Sequence, residues 1–311
     1  MTVNQRGMVL VVTLVLSLAC GGPSQDTEDS AGPLRVVATT SIVGDLVTSI
    51  AGNAVELETL MGAGVDPHLY KPSAGDVRKM AAAQLIVYNG LHLEGKMTDV
   101  LAEIGTRGVE TLAVAECISG DRLLPVEGFE TMHDPHVWFD VELWAEAAAC
   151  LRDALIRIDP EHAEGYRRRG EAVVTEFAVL HDWIDQQISQ LPDDRRVMVT
   201  AHDAFSYFGR AYGVEVRGLL GVSTAAEAGT ADVQELAIFI ADSGLPAVFV
   251  ESSVPPRFIE ALTEAVAARG AAVTIGGSLY SDALGNPESP AGTYVGTVRS
   301  NVETFVGAMS K

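Results

Sequence analysis

From Leu34 onward, short β-branched stretches alternate with stretches of helical period: LRVVATT, IVGDLVTSIAG, VELETLM, DVRKMAAA and LIVYNG follow one another up to residue 90. The rhythm returns after residue 194 as RRVMVTA, AFSYFGRAYG, VEVRGLLG, VQELAIFIADSG, PAVFVESS, RFIEALTEAVAARG and AAVTIGG. Strand-length apolar runs separated by amphipathic helices are the pattern of βαβ units. The pattern predicts an α/β protein of two lobes, each with a mostly parallel sheet flanked by helices. Between the two runs a different spacing takes over, with Val173, Phe177, Leu180, Ile184, Ile188 and Leu191 at steps of three and four, on one face of a helix. Asp159 can cap this helix, Pro160 suits its first turn and Pro192 stops it. Roughly thirty residues at 1.5 Å each would span about 45 Å. The expectation is one rigid linking helix over 159–191, joining an N-terminal lobe (34–158) to a C-terminal lobe (192–311) and opposing large hinge motion.

The ends read differently. Arg6 and the apolar run Met8–Ala19 have the length and charge of an export signal over residues 1–20, too short to span a bilayer comfortably. Cys20 and the polar GGPSQDTEDSAG after it resemble a bacterial lipoprotein cleavage site followed by a tether, 21–33. Ser17 and Leu18 depart from the usual aliphatic-then-small order ahead of such a cysteine. Lipidation of Cys20 would anchor the protein to the outer face of the cytoplasmic membrane; a plain secretory signal would leave it periplasmic. With 21 basic against 42 acidic residues the formal net charge is −21, a surface that repels nucleic acid and anionic lipid. Cys117 and Cys150 could bridge in an oxidising compartment or be two separately buried small hydrophobes, and their spacing does not decide.

Ligands of open α/β sheets bind beyond the carboxyl ends of strands. Four candidate side chains fall in four separate loops, most of them at strand ends and two per lobe: His68 in GAGVDPHLYKPSAGD, His136 in HDPHVWFD ahead of a helix beginning near Val141, His202 in TAHDAFSYF and Asp282 in SLYSDALG. Three imidazoles and one carboxylate suit Zn²⁺, and tolerate Mn²⁺ or Fe²⁺. The tripeptide DPH occurs twice, at Asp66–His68 and Asp134–His136. In each the proline fixes φ ahead of the histidine, and the aspartate can orient the loop or a ring N–H.

These segments, with YNGLHLEGKM, GVSTAAEA, VFVESSVPP and GTYVG, resemble in order the zinc/manganese-binding lipoprotein receptors of ABC transporters, the cluster A-I (cluster 9) family, from about residue 34 to the C-terminus. The resemblance implies two α/β lobes joined by a long helix, a metal ion held between them by His68, His136, His202 and Asp282, and delivery to a membrane permease by a monomeric, non-enzymatic receptor. Histidine at the third place, His202, implies zinc, where manganese-specific members tend to have glutamate. The His-rich loop common in zinc-specific members is absent, since Gly120–Met132 (GDRLLPVEGFETM) contains no histidine. Zinc, manganese or both therefore stand as the transported ion.

Other polar residues invite plainer readings. His133 is expected to be a loop or outer residue, His92 structural, and His162 and His181 surface or packing residues. Glu251, directly after PAVFV, is a candidate to accept a hydrogen bond from a ligand imidazole; Asp66 and Asp203 are weaker ones. Trp138, Phe139, Phe205 and Tyr207 should be core that keeps water from the ion. A zinc hydrolase with Glu251 as general base is the alternative of a different class, although H-E-x-x-H, H-x-x-E-H and G-x-S-x-G are missing. A surface adhesin is a third reading, which no residue here favours.

Overall fold

The computed structural model describes residues 1–2, 32–126, 128–226 and 228–311. Cys20 and nearly all of the expected signal and tether lie outside them. Pro33–Lys311 form one contact unit, separate from Met1–Gly32. In the first lobe β1 (Leu34–Ala38), α1 (Ser41–Ala51), β2 (Val55–Thr59), α2 (Ala74–Ala82), β3 (Leu85–Tyr88), α3 (Thr98–Thr106) and β4 (Glu110–Ala113) alternate as the apolar pattern predicts. The strands form one all-parallel sheet in the order β2-β1-β3-β4. Strand β3 is the unbroken apolar run of a strand covered on both faces, with Leu85, Ile86 and Val87 fully buried.

After β4 comes a short hairpin, β5 (Pro125–Val126) and β6 (Phe129–His133), and then α4 (Val141–Ile158). The second lobe repeats the plan with α5 (Ala163–Ile188) leading into β7 (Val197–His202), α6 (Ser206–Tyr212), β8 (Glu215–Leu220), α7 (Thr230–Ser243), β9 (Ala247–Glu251), α8 (Arg257–Ala267), β10 (Thr274–Leu279) and α9 (Tyr294–Met309). Strands β7 and β8 pair in parallel, as do β9 and β10, and β7 lies beside β9. The resulting order β8-β7-β9-β10 mirrors that of the first lobe. Each lobe thus reverses strand order once, at β1/β3 and at β7/β9, and such a switch point opens a crevice at the strands' carboxyl ends.

The long helix is shorter than its apolar stripe suggests. Asp159 does not cap its start: the Asp159 N–H donates to Leu155 O and closes α4, and Pro160–His162 make a single 3₁₀ turn before α5 begins at Ala163. Proline disfavours helical φ/ψ in the residue before it, and Asp159 is held at φ −130°, ψ 74°. The 26 residues of α5 run about 39 Å. Its buried face, Tyr166, Gly170, Val173, Phe177, Leu180, Ile184 and Ile188, lies along α4 and α1 and touches α6 and α9, so helices of both lobes rest on it. At Gly170 a Cβ would come within 2.7 Å of Arg152 Cδ, so the missing side chain lets α4 and α5 approach. Arg169 donates to the carbonyls of Ile50 and Ala51 and satisfies the C-terminus of α1.

Cys117 and Cys150 form a disulfide between the turn after β4 and helix α4, which resolves the choice their spacing left open. Closing a loop with a sequence separation of 33 residues should contribute about 4 kcal/mol, mainly by restricting the unfolded chain. Urea unfolding of a Cys117→Ala/Cys150→Ala variant is expected to show that loss with the zinc affinity little changed. An unaltered midpoint would mean that the bridge adds no stability.

Candidate metal centre

The DPH loops are built by their own aspartates. Asp66 Oδ1 accepts the backbone N–H of His68 at 2.9 Å, and Asp134 Oδ1 accepts that of His136 at the same distance. Each carboxylate bends the chain around the proline and sets the histidine that follows. Asp134 Oδ1 also lies 2.7 Å from His136 Nδ1, which holds a ring proton on Nδ1 and turns Nε2 toward the cluster. The next residue but three, Asp140, caps α4 by accepting from the N–H groups of Glu142 and Leu143.

In the second lobe the switch point supplies two groups directly. His202 is the last residue of β7 and Glu251 the last of β9. The His202 N–H donates to Glu251 Oε1 at 2.8 Å. Oε2 lies 2.6 Å from His202 Nδ1, an ion-pair contact too bent for a good hydrogen bond. Asp282 follows β10, and its Oδ2 accepts from Ser253 Oγ at 3.0 Å.

These loops bring His68, His136, His202 and Asp282 together, each with one ligand atom within 4.8 Å of the others and all four side chains buried. His136 Nε2 lies 3.3 Å from His68 Nε2, 3.4 Å from His202 Nε2 and 3.4 Å from Asp282 Oδ1, and His202 Nε2 lies 3.5 Å from Asp282 Oδ1. A tetrahedron with arms of about 2.0–2.1 Å, the usual Zn–N and Zn–O lengths, has edges of about 3.3–3.4 Å. Three of these separations have that length and the fourth, at 3.5 Å, lies just above it. Asp282 Oδ1, buried and aimed into the cluster, has no hydrogen-bond partner, which is the state of an atom shaped for a cation.

Charge in the cluster is strongly coupled. Burial pushes His68 down to about 3, against the pull of Asp282. Burial also opposes protonation of His136, but Asp134 and Asp282 overcome it and raise this ring to about 9. His202 is likewise raised well above 6.5 by Glu251 and Asp282 despite its burial. The Asp282 carboxyl, which burial alone would raise, is held well below the usual range by His202 and His136.

Several pairings had no sequence signal. Asp66 Oδ2 accepts from Thr224 Oγ1 of the second lobe at 2.7 Å. Tyr207, expected to be inert core, donates its hydroxyl to Asp134 O and accepts from the Leu124 N–H. At the first lobe's switch point the carboxylate of Glu94 fills the crevice, taking the Thr39 hydroxyl and the N–H groups of Asn89 and Gly90; burial pushes its pKa up. Trp138, Phe139, Phe205 and Tyr207 are buried around the cluster. Asp203 bonds Ser206 rather than a ligand ring. His133 ends β6, His92 is exposed at φ 64°, His162 pairs with Asp159 and His181 with the Tyr212 hydroxyl, all outside the cluster.

Known proteins are similar to this chain in sequence and in fold. A protein-family profile described as ZnuA, zinc-uptake complex component A, periplasmic, matches residues 36–308. The zinc-binding protein TroA of Treponema pallidum is 46% identical over 97% of each chain, and the manganese-binding lipoprotein MntA of Bacillus subtilis is 43% identical over 97% of each. The solved structure of the periplasmic zinc-binding protein TroA superposes with a TM-score of 0.87 at 47% identity, covering 90% of this chain and all of that one. With nearly its whole length matched by the profile and by relatives well above 30% identity, the chain belongs to the family of periplasmic zinc-uptake component A, the non-enzymatic solute-binding subunits of metal ABC transporters.

Proposed function

We propose that this protein captures a single divalent transition ion, zinc foremost and manganese as the competitor, on His68, His136, His202 and Asp282, and surrenders it to the permease of its transporter. The ion sits between lobes 34–158 and 192–311, which the linking helix α5 (Ala163–Ile188) joins. The observation that carries this reading is the set of four ligand-atom separations between 3.3 and 3.5 Å, tetrahedral edges for a zinc ion. Three imidazoles and one carboxylate oxygen favour the later first-row ions over Mn²⁺. Asp134 stands behind the His136 ring and fixes its tautomer, and Glu251 stands behind the His202 ring as a countercharge that raises its basicity. The relatives' names point both ways, one to zinc and one to manganese. Export by the leader, anchoring through a lipidated Cys20 and a monomeric state complete the proposal.

Hydrolysis does not suit this centre. Four protein donors fill a tetrahedral sphere and leave no position for an activated water. Glu251, the carboxylate nominated as base, faces Nδ1 at the rear of the His202 ring and not the ion side.

Titration with zinc under a competing chelator, followed by metal analysis, tests the proposal: one tightly held equivalent is expected, and zinc should displace manganese. A protein that takes up no stoichiometric zinc would refute it. The charge state adds a second expectation. The raised pKa values of His136 and His202 favour their charged forms in the metal-free site, whereas burial favours neutral His68. Zinc binding should therefore release protons from these rings, and affinity should go on climbing with pH through about 9, where His136 titrates, rather than levelling off near 6.5. Calorimetry at pH 7 in buffers of different ionisation enthalpy measures that release directly; a value near zero would show that the rings are neutral before the ion arrives.

A further inference from the structure

The four ligands are not held alike. His136 precedes the linking helix and so belongs by sequence to the first lobe, yet its loop is fastened to the second. The Tyr207 hydroxyl of α6 donates to Asp134 O at 2.9 Å, Trp138 Nε1 donates to Ser281 O at 3.1 Å, and the Tyr294 hydroxyl of α9 donates to Trp138 O at 2.7 Å. The rings of Phe139 and Phe205 lie 4.3 Å apart across the same seam. From the first sheet the loop takes the Asn89 Nδ2 bond to Pro135 O. Every residue from Asp134 to Asp140 is buried.

The His68 loop is the opposite case. Gly62, Ala63, Gly64 and Leu69 around it are exposed. Its side-chain hydrogen bond to the second lobe is the half-buried one from Thr224 to Asp66. The ligand atoms divide in the same way. His136 Nε2, His202 Nε2 and Asp282 Oδ1 form a triangle with sides of 3.4, 3.4 and 3.5 Å, and His68 Nε2 makes its close approach to one corner, His136, at 3.3 Å.

Resting on the metal-binding reading above, we infer that the centre works as three plus one. His136, His202 and Asp282 form a standing platform that moves with the second lobe, and His68 is an arm that closes over the ion. Tyr207 is a positioning residue of the platform, because its hydroxyl ties the His136 loop to α6. Thr224 is the catch of the arm, because Asp66 joins it to the backbone of His68. Parting of the lobes then breaks the Thr224 bond and lifts off one ligand. The ion is left three-coordinate on an open face, a state from which water or the permease can draw it.

The test is zinc affinity and release, measured by chelator competition and stopped flow, in single and double variants, with Co²⁺ absorption as a probe of coordination. His68→Ala should lose about 10- to 100-fold in affinity and keep the visible bands of bound Co²⁺; His136→Ala should lose at least tenfold more and bleach them. Thr224→Val should speed zinc release several-fold in the wild-type background and have no effect on top of His68→Ala, since it acts through that arm. Tyr207→Phe should weaken zinc in both backgrounds, since it acts on the platform. Equal losses in His68→Ala and His136→Ala, or a Thr224→Val effect that persists without His68, would overturn the division. A wild-type protein that binds no zinc would instead bring down the metal reading, and the inference with it.

Discussion

Replacing His202 with alanine will lower zinc affinity by at least about three orders of magnitude while leaving the metal-free protein folded. Binding free energies of about 10–16 kcal/mol for four-ligand zinc sites spread to roughly 3–4 kcal/mol per donor, or a factor of several hundred. Two further losses compound it here. Asp282 is held ionised first of all by His202, so without that ring the buried carboxylate tends to protonate and give up its own place on the ion. Glu251 loses the Nδ1 side of its pair and keeps only the backbone N–H of residue 202. The fold itself should survive, because strand β7 keeps its pairing with β8 and the surrounding apolar core is untouched. Chelator-competition titration of the variant, with a thermal melt of its metal-free form, checks both halves; affinity within tenfold of wild type would place the ion elsewhere.

Much of this centre is legible in the sequence because its parts follow local rules. Alternating β-branched and helical runs announce a strand–helix alternation, and the residue directly after a strand in such folds faces a ligand crevice. His202 and Glu251 are found by that rule alone, at the ends of β7 and β9. The repeated DPH marks two loops in which an aspartate can turn the chain onto a histidine, and both aspartates do accept the N–H two residues on. What the sequence hides is long-range. Tyr207 meets Asp134 across 73 positions and Thr224 meets Asp66 across 158, and no periodicity records such pairings. Asp159 misleads for a local reason instead: a residue before proline looks like an N-cap in sequence, yet here it serves as the C-cap of the preceding helix. The division of ligands by lobe fails in the same way, because chain position puts His136 in the first lobe and hydrogen bonds put it on the second.

Stripping the ion will lower the melting temperature substantially, and the size of the drop will depend on pH in a direction the charges dictate. An ion that binds only the folded chain stabilises it by RT ln(1 + [L]/Kd), about 4.1 kcal/mol at a thousandfold excess over Kd, and each kcal/mol moves the melting temperature of a domain this large by about 2–4 °C. Zinc at that excess should therefore raise it by roughly 10 °C at pH 7.5. The metal-free protein has its own pH profile. His136 has a folded pKa near 9 against 6.5 when unperturbed, so its charged pairing with Asp134 and Asp282 stabilises the fold fully below about 6.5 and is lost as pH rises through 9. His202 contributes in the same sense. Asp282, held well below 3.8, keeps its contribution across this whole range and loses it only in stronger acid. Between pH 6.5 and 9 the metal-free protein should thus become less stable while the zinc-loaded form, freed of competing protons, holds its stability. The gap between the two melting temperatures should widen steadily over that window and close below pH 6. Calorimetric melts of chelator-treated and zinc-saturated protein at half-unit steps of pH measure it, and a gap that stayed constant from pH 6 to 9 would mean that the protons and the ion do not share these side chains.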